Sequence, residues 1–435
     1  MQVFLDNVNA VVWGIPMLVI FLFTALRFTF KGRFFQLTGA KKILKNTLFS
    51  IFKDNNTDGI SQFSAFCSVL GACIGTGNIV GVATAIYSGG PGTVFWMIFS
   101  ASLSMMIAYA ENYLGIKYRY RDTFGKISGG AFSYIENGLK MKGLAKAYSL
   151  FCLMSAIGMG NMTQSNSISA SLQNSFNINP LITSAFSAIL CAVIITGGVK
   201  RIAKIQTFTV PLMTIFYIII SSLILFKFKN MIIPCVGIIF KEAFSLKAIN
   251  GFGMYKATRY GISRGVFSNE AGLGSSTILH AQTENTDAEN QGIWAMLEVF
   301  IDTILMCGLT AITLLISTNY NENGLYGAEL SVAAFSTIGE IGKKGIGILT
   351  SVFAFASLAS CSFYGKKSFE YLFGTKYTKA YTVFYIAISF FGGINAPKII
   401  WTFADICNAL MAVPNLFAIN CLANEIDFPN KKSKL

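Results

Sequence analysis

The sequence is short of histidine, of charge and of paired cysteines. Its one histidine, His280, excludes a multi-histidine metal site. Nine cysteines are scattered with no C-x-x-C pair, and most fall inside apolar runs. They read as small buried residues, not as a disulfide framework. Charged residues make up 12% of the 435, against about 25% in soluble domains. Surfaces so poor in charge would leave two or three soluble domains unsolvated. Alternating segments of about ten residues, the mark of an outer-membrane barrel, are missing. No long linker or low-complexity tract divides the chain, so a single domain is expected.

What the sequence has instead is long uncharged runs. No charged residue lies between Gly59 and Ala110 or between Ala147 and Val199. A bilayer span takes about 20 apolar residues, so each run holds two spans and a turn. The turns are legible as Ser88-Gly89-Gly90-Pro91-Gly92 and as Asn174 to Pro180. Backbone groups in lipid must pair internally, so the spans are helices. Eleven are expected, at 8–30, 61–88, 91–116, 146–172, 179–197, 207–227, 256–280, 290–318, 345–372, 379–395 and 397–423. The segments 129–140 and 231–246 are too short or too charged to cross, and read as interfacial or re-entrant pieces.

The net charge of +14 is not spread evenly. The loops at 31–53, 117–146, 200–204 and 366–379, with the tail at 431–434, carry 23 of the 34 basic residues. The intervening loops carry only Lys227, Lys229, Lys241, Lys247, Lys343 and Lys344. This alternation is the positive-inside pattern, not a nucleic-acid footprint. It places the N-terminus outside and the C-terminus inside a cytoplasmic membrane. One inner loop departs from it, being acidic through Glu284, Asp287 and Glu289. The first span follows an acid and lacks a small-residue cleavage site, so it is expected to remain as a helix.

Two spans carry glycine where a helix least wants it. The second span has Gly71, Gly75, Gly77 and Gly81 around Asn78; the seventh has Gly261, Gly265, Gly272 and Gly274 around Ser268-Asn269-Glu270. The first opens a block of five helices, 61–227, and the second opens another, 256–423. Five is odd, so the second block enters from the opposite side. Paired broken helices in inverted halves point to a secondary transporter's binding site. The helix at 8–30 stands outside the repeat, and 424–435 forms a tail.

The run Gly75-Thr76-Gly77-Asn78-Ile79-Val80-Gly81 superficially matches a dinucleotide fingerprint, but that motif needs a strand–helix–strand setting. Close packing through small residues is the plain alternative. An unwound kink is favoured: amides of Thr76, Gly77 and Asn78 would hold a carboxylate, and carbonyls from Gly71 to Ile74 would suit a cation. At the matching break, carbonyls of Phe267 and Ser268 and the Asn269 amide would face an ammonium group, although Ser-Asn-Glu is also good turn chemistry. Asn161 and Gln164 are three apart and expected on one helix face, with Gln164 reaching the substrate or merely bridging helices. The acids Glu111, Glu298, Asp302 and Asp405 lie in or near spans and are candidates for ion coupling or for pairing with a base. In span nine, Ser357 is a candidate sodium ligand in a stretch that could equally be a packing seam.

At these residues the chain resembles the alanine/glycine:cation symporters, or sodium:alanine symporters, nearly end to end. The resemblance runs through Gly75 to Ile86, Gly160 to Gln164, Val299 to Thr310, Trp401 to Asn408 and Met411 to Asn415. Ser268-Asn269-Glu270-Ala271-Gly272-Leu273-Gly274 is its most specific stretch. It implies a leucine-transporter-like 5+5 inverted repeat preceded by one extra helix, and uptake of alanine or glycine with sodium. By that likeness Thr76 and Gly77 bind carboxylate, while Gly71 and Ile74 offer carbonyls to sodium. The chain departs from the family at Ala356-Ser357, where a Ser/Thr pair is usual, at Cys361, usually tryptophan, and at Ser104-Met105-Met106. The expected protein is therefore an all-α polytopic carrier without enzymatic chemistry or cofactor. Sodium is its co-transported ion, and Gly75, Asn78 and Gly272 also line its pocket. A proton-coupled amino-acid symporter using an intramembrane acid is the alternative.

Overall fold

A bundle of helices is what these apolar runs require, and a computed structural model of the chain shows one. It describes residues 2–53, 60–122, 125–245, 253–284, 286–318, 324–395 and 397–429. Lys247 and the tail lysines of the charge pattern lie outside these residues. Seven helices are long and apolar enough to cross a membrane: 2–31, 92–117, 142–176, 198–227, 288–317, 340–373 and 398–421. Two interrupted helices, Gln62–Cys73 with Val80–Gly89 and Met254–Asn269 with Ser276–His280, add two crossings. Pro180–Ile195 and Thr378–Ile394 supply the last two of the eleven. A two-residue antiparallel ladder, Tyr120–Arg121 with Ile127–Ser128, is the one sheet among the described residues.

Burial separates core helices from lipid-facing ones. In Glu340–Phe373, 78% of the apolar stretch is buried; in Gly198–Lys227, only 28%. Phe208, Leu212, Ile215, Ile219, Leu223 and Phe226 of the latter are exposed along the helix, as a lipid-facing side requires. The helix Gly92–Lys117 runs against the second interrupted helix. A Cβ on Gly261 there would stand 2.6 Å from the Thr93 carbonyl oxygen. Eight cysteines are buried and Cys421 is exposed, with no disulfide among them.

Several expected limits are corrected. The first span begins at Gln2, not residue 8, and is jointed at Trp13-Gly14 before Ile15–Lys31. Pro16 lacks an amide hydrogen and restarts the helix there. Lys200, Arg201 and Lys204, expected in a loop, lie in the first turns of Gly198–Lys227, because long basic side chains tolerate a helix end at a membrane surface. The segment read at 129–140 contains the short helix Ala131–Asn137, whose residues Ala131 to Ile135 are buried. Lys229–Ala243 exposes Met231, Ile233, Ile238 and Phe240, as a non-crossing apolar piece would. The helix Ala328–Ser336 was not expected; its nine residues are too few to stand out by pattern.

Candidate functional site

The first interruption begins where Gln62–Cys73 stops. The Ile74 amide still bonds Leu70, but Gly75 turns out of the helix. Its amide donates to Asn78 Oδ1 at 3.1 Å, and the Thr76 amide donates to Gln164 Oε1 at 3.1 Å. A short turn, Thr76–Asn78, then leads into Val80–Gly89. Two of the amides that a helix start leaves open are thus taken by side chains. The Gly77 and Asn78 amides lie within that turn. Glycine is needed here by close approach. A Cβ on Gly75 would lie 2.9 Å from Ser357 Cβ and Oγ, and one on Gly77 would lie 3.2 Å from Ser268 Cα.

That last distance brings the two interruptions together. Met254–Asn269 ends with Glu270 in the left-handed region at φ 56°, so the final carbonyls of the helix lose their next-turn partners close to Gly77. Asn269 holds this end: its Oδ1 accepts from the Ala271 amide, and its Nδ2 donates to Thr303 Oγ1, both at 3.0 Å. Ser268 Oγ lies 3.3 Å from Cys307 Sγ. Phe267 stacks on Trp401 with centroids 5.0 Å apart. Arg264 lies over both rings and grips Asp405 through two bonds of 2.7 and 2.8 Å.

Other expected ligands are placed differently. The Asn78 side chain is a strut, not a free ligand: its Nδ2 donates to the Asp302 carboxylate at 2.7 Å and to the Asp302 carbonyl at 2.9 Å. Asn161 turns away and donates to the Tyr385 carbonyl at 2.7 Å. It does not share a face with Gln164, because Gly158–Met162 forms a wider π turn that breaks the three-residue spacing. Gly272 packs against Phe21 and Leu416, at φ 91°, and lines no common pocket with Gly75 and Gly77. Ser357 does meet the first interruption, donating to the Ala72 carbonyl at 2.6 Å, between Gly71 and Ile74.

The acids divide by partner. Asp405 pairs with Arg264, and Glu298 lies 2.8 Å from His280 Nε2. Glu111 accepts from Asn415 at 2.5 Å. Asp302 accepts from the neutral donors Asn78 and Thr303, and no base pairs with it among the described residues. A second π segment, Phe300–Cys307, spaces Glu298 from Asp302 and frees each to find its own partner. No cluster of three His, Cys, Asp or Glu side chains suited to a metal occurs among the described residues.

Two cavities approach this centre from opposite ends. One of about 750 Å³ is lined by Val80, Asn166, Tyr326, Glu329 and Lys398, and reaches Trp401. The other, about 1030 Å³, is lined by Arg121, Lys126, Lys200, Lys366 and Lys367, with Glu370. Thr76, Gly77, Asn78 and Ser268 are buried, so neither cavity exposes the interruptions. Sequence reading had not seen the Phe267–Trp401 stack, the Arg264–Asp405 pair or the Asn78–Asp302 strut. All three join segments far apart in the chain.

The architecture has relatives among solved structures. The crystal structure of MhsT in complex with L-phenylalanine matches with a TM-score of 0.62 at 14% identity, covering 84% of this chain and 90% of that one. A sodium-coupled sialic acid symporter in a substrate-bound outward-open state matches at 0.54 and 13%, covering 95% and 83%. These likenesses show the fold alone, the leucine-transporter-like inverted repeat. In sequence, the sodium/alanine symporter AgcS of Methanococcus maripaludis is 39% identical over 97% of this chain and 94% of its own. The Bacillus subtilis protein named "Probable sodium/glutamine symporter GlnT" is 31% identical over 98% and 90%. Residues 1–429 match the Sodium:alanine symporter family, and the chain belongs to that family of multi-pass membrane secondary transporters.

Proposed function

We propose that this chain takes up a small neutral amino acid, alanine or glycine, together with sodium, by alternating access. The carrying observation is the meeting of the two interruptions at Gly77 and Ser268, a helix start beside a helix end. A zwitterion fits that polarity. Its carboxylate faces the Gly77 and Asn78 amides, where the helix start is positive, and its ammonium faces the carbonyls ending at Asn269. Gln164 Oε1 accepts from the Thr76 amide at 3.1 Å, so Gln164 steadies that amide and lies beside the carboxylate's place. Crowding of Gly75 and Gly77 by Ser357, Gln164 and Phe267 supports a small substrate. Sodium is taken by Ser357 with the carbonyls of Gly71 and Ile74, beside the Ala72 carbonyl that Ser357 already touches.

The transport domain divides into the extra helix at 8–30, repeats at 61–227 and 256–423, and the tail at 424–435. The protein resides in a prokaryotic cytoplasmic membrane with its N-terminus outside. The lysine-rich cavity is then the inner vestibule, and the Phe267–Trp401 stack closes the outer one. The AgcS name supports alanine and sodium; the GlnT name shows that relatives need not share one substrate.

The test is radiolabelled alanine uptake into proteoliposomes, with sodium against choline outside. Uptake by the wild type should require sodium, and Asn78→Ala and Gln164→Ala should lose it while still inserting. Wild-type uptake that ignores sodium at fixed pH, or variants that transport normally, would sink this reading.

A further inference from the structure

Among the described residues, Glu270 is a buried acid with no base beside it, as Glu111 and Asp302 are. Glu270 is 1% exposed, and Ser275 Oγ donates to its Oε2 at 2.6 Å. No lysine, arginine or histidine among the described residues pairs with it, whereas Asp405 and Glu298 each have a base. It fronts a small void of about 10 Å³. Ser155, Ser275 and Tyr364 share the lining, the remainder being small or sulfur-bearing side chains. Ser155 Oγ gives its proton to Asn408 Oδ1 at 2.6 Å, which leaves its lone pairs free to turn to the void. Tyr364, 3% exposed, lines the same void beside Glu270, and its hydroxyl makes no hydrogen bond of ordinary geometry among the described residues.

An ionised carboxylate taken out of water without a counter-charge is very costly. A void of this size holds one small species, whose polar partners here would be Glu270, Ser155, Ser275 and Tyr364 in an otherwise apolar lining. These four residues, all lining the void, carry five side-chain oxygens between them, the ligand type a hard cation takes. The void lies between the second interruption, which carries Glu270 and Ser275, and the long helix Glu340–Phe373, which carries Tyr364. Ser357 is on the same long helix, seven residues before Tyr364, and serves the first interruption instead.

We propose that Glu270, Ser155, Ser275 and Tyr364 form a further sodium site, separate from the one at Ser357, which ties the second interruption to the long helix. The proposal rests on the sodium-coupled reading above. Sodium bound here neutralises Glu270 and fixes the left-handed turn that ends the helix close to Gly77. Losing it on the inner side frees that half-helix to move.

The test counts radioactive sodium bound at equilibrium to purified wild type, Glu270→Gln and Tyr364→Phe, alongside alanine uptake by the wild type. Glu270→Gln should bind one fewer sodium ion per chain. Tyr364→Phe, which keeps the ring, should need about tenfold more sodium to fill the site. An unchanged count in Glu270→Gln overturns the site even where wild-type uptake is sodium-driven, so transport would stand without it. A variant that instead loses only pH dependence, with its sodium count intact, assigns a proton to Glu270 and also overturns it. Should Glu270→Gln fail to fold, unaltered sodium affinity in Tyr364→Phe decides against the site. Wild-type uptake indifferent to sodium would fail the transport reading, while the binding count still judges the site.

Discussion

Replacing Gly77 by alanine tests the central geometry with one methyl group. Its Cβ would stand 3.2 Å from Ser268 Cα, 3.4 Å from Ser268 Cβ and 3.4 Å from Phe267 Cδ1. The nearest of these is backbone, so the two interruptions must separate by a few tenths of an ångström or strain. Overpacking of this kind costs about 1–3 kcal/mol. Falling on the state in which the interruptions touch, it should lower alanine uptake by about 5- to 150-fold. Gly81, four residues on, is the control. A Cβ there meets nothing nearer than 3.8 Å, at the Thr76 carbonyl and Trp401, and alanine suits a helix better than glycine. Gly81→Ala should keep uptake within about twofold of wild type. The assay is the initial rate of alanine uptake into proteoliposomes under an inward sodium gradient, normalised to inserted protein. Equal rates for Gly77→Ala and wild type would refute the claim that contact between the interruptions builds the site.

Ser357→Ala removes the hydroxyl that touches the Ala72 carbonyl. It should raise the sodium concentration for half-maximal uptake by about tenfold while leaving the alanine KM at saturating sodium nearly unchanged. Equal loss in both parameters would point to packing instead. Arg264→Gln strands the buried Asp405 carboxylate and should cost about 3–5 kcal/mol, read as a lower melting temperature in detergent. Adding Asp405→Asn should restore much of that loss. A single variant as stable as wild type would show the pair to be idle.

Much of the protein was fixed by its order of residues. Uncharged runs longer than a bilayer's thickness leave helices as the only way to pair their backbones, and the turns between them were marked by glycine, proline and asparagine. Glycines at mid-span marked where both interruptions would fall, since a helix interior disfavours them, and Gly75 and Gly77 lie where they were expected. What the order of residues could not give was which side chains would fill the gap. Asn161 and Gln164 parted because a π turn, invisible to a three-residue spacing rule, stands between them. Asn78 became a strut because Asp302, 224 residues away, came within 2.7 Å. Gly272 left the pocket because Phe21, from the helix outside the repeat, packs against it. Periodicity and composition act over one or two turns of chain, whereas these contacts depend on how separate helices are docked. That docking alone also brought Glu270 and Tyr364 to one void, with oxygens gathered from three helices.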